Sequence, residues 1–142
     1  MRETLRIAAG EALDDGDPRV RGHAIQFRIY AEDPLRGFAP TGDTTVRTWC
    51  LPPGPGVRVD PGVSRGSRIA PEFGTLLAKL IVTGASRVQA LRRARRALGE
   101  FEVDGVRINL PFHRWAVTDE AFAPSDPGRS FSVHTGWVET RW

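Results

Sequence analysis

The sequence predicts an α+β fold, a small antiparallel sheet with packed helices. Two observations predict it: strand-like segments fill most of the chain between residues 22 and 82, and the clearest helical pattern follows them, at residues 86–101. Strands grouped ahead of helices, instead of alternating with them, are typical of this class. A length of 142 residues fits one domain with a sizeable core.

A short helix and a loop open the chain. Leu5, Ala8, Ala9 and Leu13 recur at helical spacing, which predicts a helix over residues 1–13. Residues 14–18 then combine three aspartates with a glycine and a proline, a composition typical of a loop.

The first predicted strand, within residues 22–34, carries the most informative side chains. Because side chains alternate along a strand, Ile25, Phe27 and Ile29 share one face, and we expect that face in the core. The opposite face carries Gln26, Arg28 and Tyr30. A guanidinium there stays charged and donates in a planar fork suited to carboxylates, phosphates and enolate-like oxygens. An ordinary exposed arginine is the simpler reading of one isolated strand.

Three further strands are predicted beyond that segment. Residues 35–43 are a Pro/Gly loop, residues 44–51 have the β-branched content of a second strand, and residues 52–56 form a turn because they hold three prolines. A short strand follows at residues 57–60, with its valines inward. An apolar run at residues 76–82 predicts the last strand, interrupted by Lys79.

Two helices complete the predicted fold. Ser86 can cap the first one, with Gln89 reaching back in a capping box. Its apolar stripe is formed by Leu91, Ala94, Leu98 and Phe101. We expect the arginines at positions 92, 93, 95 and 96 to form a solvated face. Asp104-Gly105 predicts a turn, and Asn109 can cap a second helix with Pro111 in its first turn. Residues 131–142 return as an extended or short helical tail.

Composition argues against several classes of protein. The sequence pI of 9.9 comes with a net charge of only +3, and 19 of the 20 basic residues are arginine, so we do not expect nucleic-acid binding. We expect neither a membrane span nor a signal peptide. Cys50 has no disulfide partner in the chain and is predicted to be a small core residue, and no Cys/His spacing indicates a metal site.

Several segments together point to a known family. They occur in its order and at close to its spacing: Leu5–Gly10, Gly22–Pro34, Gly54–Asp60, Leu77–Ile81, Asp104–Val106 and Phe131–Thr135. With these segments the chain resembles the C-terminal domain of biotin carboxylase, the ATP-dependent component of acetyl-CoA, propionyl-CoA and pyruvate carboxylases. The resemblance implies that residues 1–18 are the end of a preceding helix and a linker, and that residues 19–142 are the domain.

The resemblance also implies roles for individual residues. Arg28 matches the arginine that contacts bicarbonate and stabilises the biotin enolate during carboxyl transfer. Val133 and His134 match residues on the adenine side of the nucleotide pocket, although a lone histidine near a terminus is more often structural. Arg58 matches a position at the homodimer interface, and an edge-strand charge that discourages aggregation is its alternative reading. His23 and His113 gain no role.

The implied function is part of a ligase that carboxylates biotin with bicarbonate and ATP. The glycine-rich loop, magnesium-binding carboxylates and catalytic glutamate of that enzyme are not in this sequence, so the chain is expected to be inactive alone and to bind neither biotin nor ATP/Mg tightly by itself. The implied partners are the ATP-grasp portion, a biotin carrier protein and a carboxyltransferase subunit, in the cytoplasm, with a possible homodimer. A non-catalytic interaction or dimerisation module derived from the same domain is the alternative.

Overall fold

A computed structural model describes residues 2–12, 16, 19–70, 72, 74–126 and 128–142. Its strands and helices confirm the predicted α+β class. The helices are α1 (Arg2–Ala8), α2 (Arg87–Glu100), α3 (Leu110–Ala116) and α4 (Trp137–Arg141), with a 3-10 turn at Pro34–Arg36. The strands are β1 (His23–Tyr30), β2 (Glu32–Asp33), β3 (Ala39–Pro40), β4 (Thr44–Thr45), β5 (Thr48–Cys50), β6 (Val57–Pro61), β7 (Arg68–Ile69), β8 (Leu76–Gly84) and β9 (Glu102–Asp104).

The largest sheet has three antiparallel strands in the order β1-β8-β6. Phe27 on β1 and Val59 on β6 both lie opposite Leu80 of the central strand. Phe27, Ile29 and Leu80 are buried, and Val59 packs against the same core. The alternation predicted for the first strand is therefore confirmed, and one face of this sheet forms one side of the core.

Helix α2 packs against that face of the sheet. The Ser86 hydroxyl accepts a hydrogen bond from the Gln89 backbone N–H at 3.3 Å, which confirms the predicted cap. The Gln89 side chain departs from the capping box, because it accepts from the backbone N–H of Ala85 at 2.6 Å instead of from Ser86. The predicted apolar stripe is buried along its length, at Leu91, Ala94, Leu98 and Phe101.

The strand predicted over residues 44–51 is instead two short strands with different partners. Strand β4 pairs with β7, and β5 pairs with β9. The break lies at Val46, which is 1% exposed and whose N–H donates to the carbonyl of Ser67 at 3.0 Å, while the N–H of Arg47 donates to that of Asp104 at 2.8 Å. Burying one valine between two separate partners breaks the strand. Cys50, on β5, is exposed, so its prediction as a core residue was wrong.

The N-terminal helix is shorter than the predicted residues 1–13. It ends at Ala8, and Leu5 and Ile7 are 67% and 49% exposed. Without a buried face, the helical spacing of its apolar residues has no packing to sustain it here. Leu13 and most of the predicted loop, residues 14–15 and 17–18, lie outside the described residues.

The arginines of α2 do more than face the solvent. Arg93 donates to the carbonyl of Thr83 at 2.7 Å and Arg95 to that of Val117 at 2.8 Å. Arg96 reaches the carbonyl of Pro53 at 3.1 Å. Each guanidinium thus donates to a backbone carbonyl outside the helix, and α2 contacts three neighbouring segments in this way.

Aromatic side chains attach the C-terminal tail to α3. Trp115 stacks on Trp137 with ring centroids 5.1 Å apart, and Trp142 donates from its indole to the carbonyl of Pro34 at 2.9 Å. The prediction of a short helical tail is confirmed by α4. In the described ranges, no helix has both the length and the apolarity needed to cross a bilayer.

Candidate functional site

The face of the main sheet turned away from α2 carries polar side chains from all three strands. Arg28 on β1 lies opposite Lys79 on β8, and Lys79 lies opposite Asp60 on β6. In the next row, Gln26, Ile81 and Arg58 are neighbours in the same order. Adjacent strands lie about 4.8 Å apart, so the outer two are about 10 Å apart.

The Arg28 side chain is presented to solvent from this face. Its residue is exposed, and its guanidinium makes a single long contact among the described residues, from Nη1 to the Tyr30 hydroxyl at 3.5 Å. A guanidinium has five N–H donors. Most of them are therefore available to an anion arriving at the open face.

The backbone around Arg28, in contrast, is held tightly by α3. The amide group of Asn109 donates to the carbonyl of Arg28 at 3.0 Å and accepts from the N–H of Tyr30 at 2.9 Å. Asn109 is the N-cap residue of α3, as predicted, but its side chain makes no capping bond to that helix. The Asn109 side chain instead bonds to the backbone at the edge of β1.

A histidine of the same helix makes a second bond to Arg28. His113 Nε2 lies 2.9 Å from the Arg28 carbonyl oxygen, and its ring meets Phe27 edge-on with centroids 5.5 Å apart. Since a carbonyl can only accept, Nε2 carries the proton. Burial lowers the pKa of His113, partly opposed by this hydrogen bond, and so favours the neutral ring.

Arg58 lies on the far edge of the same face. It is exposed and forms an ion pair with Asp60, two residues along β6, at 3.2 Å. Exposed pairs of this kind contribute little to stability. Breaking this pair so that the guanidinium contacts a partner would therefore cost little free energy.

Val133 and His134 lie in the C-terminal tail, away from this face. Val133 is half-buried, and His134 is exposed at a cleft of about 340 Å³ that two arginines, Arg129 and Arg141, also line. Arg141 pairs with Asp119 at 3.1 Å. Glu120 also lines the cleft, which thus combines an imidazole and two guanidiniums with a carboxylate.

The structure brings two of the predicted residues together and leaves two apart. Arg28 and Arg58 share one sheet face, on opposite edge strands. Among the described residues, no hydrogen bond, ion pair or aromatic contact joins Val133 or His134 to either arginine. In the described part of the chain, no group of three His, Cys, Asp or Glu side chains is placed to hold a metal ion.

Sequence reasoning missed the residues that hold Arg28. Asn109 and His113 follow it by 81 and 85 positions, and neither belongs to a local motif with β1. Their spacing of four residues puts both on one side of a helix, but only the packing of α3 against β1 gives that side a target. The cross-strand neighbour Lys79 became identifiable only with the register.

A family model described as the biotin carboxylase C-terminal domain matches residues 26–140. The chain is 51% identical over 141 residues to the biotin-dependent acyl-coenzyme A carboxylase alpha3 subunit of Mycobacterium leprae, covering 99% of the chain and 23% of that protein. It is 43% identical over 124 residues to the biotin carboxylase of Pseudomonas aeruginosa, covering 86% of the chain and 27% of that protein.

Solved structures agree with these relatives. The biotin carboxylase domain of a thermophilic 2-oxoglutarate carboxylase bound to bicarbonate superimposes with a TM-score of 0.85 at 37% identity, covering 96% of the chain and 30% of that one. The Hydrogenobacter thermophilus 2-oxoglutarate carboxylase domain, a dimer with MgADP, ADP and bicarbonate, gives 0.83 at 36% identity, covering 96% and 29%. The chain spans roughly a quarter of the length of the two curated relatives.

Proposed function

Because the chain belongs to the biotin carboxylase C-terminal domain family, we propose that it is the C-terminal part of a biotin carboxylase. In this role it helps to form the site where biotin is carboxylated with bicarbonate and ATP. The remaining parts of the site come from an ATP-grasp portion, and the chain alone is inactive. The observation that carries the proposal is Arg28. Its backbone is held by Asn109, and its guanidinium is open to solvent on a polar sheet face.

Arg28 would act where negative charge develops. During carboxyl transfer to N1 of biotin, a fixed cation can hold bicarbonate and then stabilise the enolate-like oxygen of the biotin ring. Preorganised donors of this kind are costly to lose, about 3 to 4 kcal/mol of barrier for one donor. The relative bound to bicarbonate supports this choice of anion.

Val133 and His134 would contribute to the adenine side of the nucleotide pocket. The cleft beside His134 supports this assignment, because the exposed imidazole there can contact a nucleotide base. ATP brings magnesium to such a site. The described residues supply no ligand cluster for that ion, so its carboxylates would come from the ATP-grasp portion.

Arg58 would lie at a homodimer interface, and the dimeric relative supports this assignment. Its exposed position on an edge strand suits a contact between two copies. The further partners would be a biotin carrier protein and a carboxyltransferase subunit, and the assembly would work in the cytoplasm in fatty acid or related acyl-CoA metabolism.

A chimeric enzyme tests the proposal. The chain replaces the matching 141 residues of the M. leprae alpha3 subunit, and biotin-dependent ATP hydrolysis is measured. We expect an active chimera, and we expect Arg28→Ala to lower turnover by about 100-fold or more while ATP still binds. The control is Arg92→Ala, an exposed arginine on α2, which retains turnover.

Full turnover in Arg28→Ala would refute the role of this arginine. A chimera that folds and dimerises but never hydrolyses ATP would support instead a non-catalytic interaction module.

A further inference from the structure

We infer that Asn109 and His113 are positioning residues for Arg28, and that α3 sets where its guanidinium stands on the open face. The inference rests on the proposed function of Arg28 and extends it to a second element. It comes from the bonds that α3 makes to the backbone of β1, not from any contact with the guanidinium itself.

Strand β1 lies at the edge of the three-stranded sheet, so only one of its two sides pairs with β8. Backbone groups of alternate residues in an antiparallel strand point to the same side. The carbonyl of Arg28 and the N–H of Tyr30 both bond to Asn109, which therefore closes that side. The backbone N–H of Asn109 adds a bond to the Tyr30 carbonyl at 3.1 Å. Asn109 thus makes the backbone hydrogen bonds that a neighbouring strand would otherwise make.

The Arg28 carbonyl has two donors. Asn109 and His113 reach the same oxygen at 3.0 and 2.9 Å, from positions one helical turn apart. Asn109 is 5% exposed, so its donor is shielded from water, and His113 is half-buried beside Phe27. Two convergent bonds fix the peptide plane that follows Arg28 more firmly than one could.

Helix α3 is itself anchored. Arg114 donates to the carbonyls of Leu98 and Phe101, at 2.8 and 3.0 Å, and so joins α3 to the C-terminal end of α2. The chain of contacts therefore runs from the core helix through α3 to the backbone of Arg28. The Arg28 side chain, with one 3.5 Å contact, has little else to orient it.

The consequence is a loss of turnover when α3 releases β1. A displacement of about 1 Å at a reacting group can cost on the order of 100-fold in rate. Substrate binding elsewhere would change little, since the nucleotide is assigned to a different surface.

The chimera described above provides the test. His113→Phe retains an aromatic ring against Phe27 but loses the donor, and His113→Gln restores a side-chain N–H. The matched control is Arg96→Met, which removes bonds from α2 to Pro53 and Glu100 and none to α3 or Arg28. We expect His113→Phe to lower kcat about tenfold with the KM for ATP within about twofold, His113→Gln to recover most of kcat, and Arg96→Met to lower Tm but keep kcat.

Two kinetic outcomes would overturn the inference. Wild-type kcat in His113→Phe, beside an inactive Arg28→Ala, would overturn it and leave the proposed function standing. A loss of kcat in His113→Phe no larger than in Arg96→Met at equal Tm would mean that the effect is one of stability alone. Full activity of Arg28→Ala is the separate result that removes the proposed function itself.

A second measurement does not depend on activity. In Asn109→Ser, the amide of Tyr30 should exchange its hydrogen about tenfold faster, whereas the amide of Ile29, which faces β8, should keep its rate. Unchanged exchange at Tyr30 would show that Asn109 does not hold this edge and would overturn the inference.

Discussion

Gly105 adopts a φ of 93° and lies directly against the carbonyl oxygen of Thr45. The turn after β9 brings this glycine under β4, where the Thr44 hydroxyl donates to the Gly105 carbonyl at 2.6 Å. A side chain at this position would meet the strand backbone and would also be strained by the positive φ.

Gly105→Ala should therefore destabilise the domain by about 1 to 3 kcal/mol, measured as a loss of free energy of unfolding in urea. The matched control is Gly99→Ala in α2, where a Cβ meets nothing within 4 Å. There, replacing a helical glycine should stabilise by roughly 0.5 to 1 kcal/mol. Equal effects at both positions would contradict this account.

The centre of the three-stranded sheet should be the most sensitive part of the core. Leu80 is 0% exposed, whereas Leu35 is 80% exposed. Leu80→Ala should cost about 2 to 5 kcal/mol, and the same change at Leu35 should stay within about 0.5 kcal/mol. Chemical denaturation of both variants measures the difference, and a large loss at Leu35 would mean that its exposed face is covered by other parts of the chain.

Acid should weaken the domain through His113. Burial lowers the pKa of this histidine in the folded protein, so the unfolded chain takes up the proton first as the pH falls. Stability is then full above the ordinary histidine pKa of about 6.5 and declines below it, until the lowered pKa is passed. Urea unfolding between pH 7.5 and 5 should show a smaller decline in His113→Gln, and identical pH profiles would refute this assignment.

The tail that carries Val133 and His134 should depend on Arg87. The Arg87 guanidinium lies between two phenyl rings, 5.0 Å from the centroid of Phe122 and 4.7 Å from that of Phe131. Arg87→Met should speed hydrogen exchange at the Ser132 amide, which donates to the carbonyl of Ala121 at 2.7 Å. A cation–π contact of this kind is worth about 0.5 to 2 kcal/mol, so exchange should rise several-fold. Arg92→Met is the control, and an equal effect there would contradict a role for the sandwich.

Local patterns were sufficient for the core of the fold. The alternation around Phe27 and Ile29 predicted the buried face of β1, and Ser86 with the stripe ending at Phe101 predicted α2. These elements are long enough for their periodicity to be read, and each buries the face that the period marks.

Elements of two or three residues could not be predicted, because their existence depends on partners far along the chain. Strand β5 exists by pairing with β9, which follows it by 52 positions or more, and this pairing leaves Cys50 exposed. Asn109 has the ordinary signature of a helix cap, yet its amide bonds to β1. Tertiary packing overrides a local preference in both cases.

The same long-range dependence held for the candidate site. The strand pattern and the resemblance of the chain to a family singled out Arg28 as a candidate. That Lys79 lies opposite it follows only from the strand register, and that His113 bonds to its carbonyl follows only from the packing of α3. A single sequence contains no signal that joins residues 85 positions apart.

The closure of β1 by Asn109 bears on how the chain folds during synthesis. Strand β1 leaves the ribosome first, β8 follows some 50 residues later, and Asn109 only after a further 25 or so. Until then the strand has an open edge that other nascent chains can pair with. A pause that keeps residue 109 inside the ribosome exit tunnel should therefore increase aggregation and the need for chaperones, whereas a pause after α3 has emerged should not.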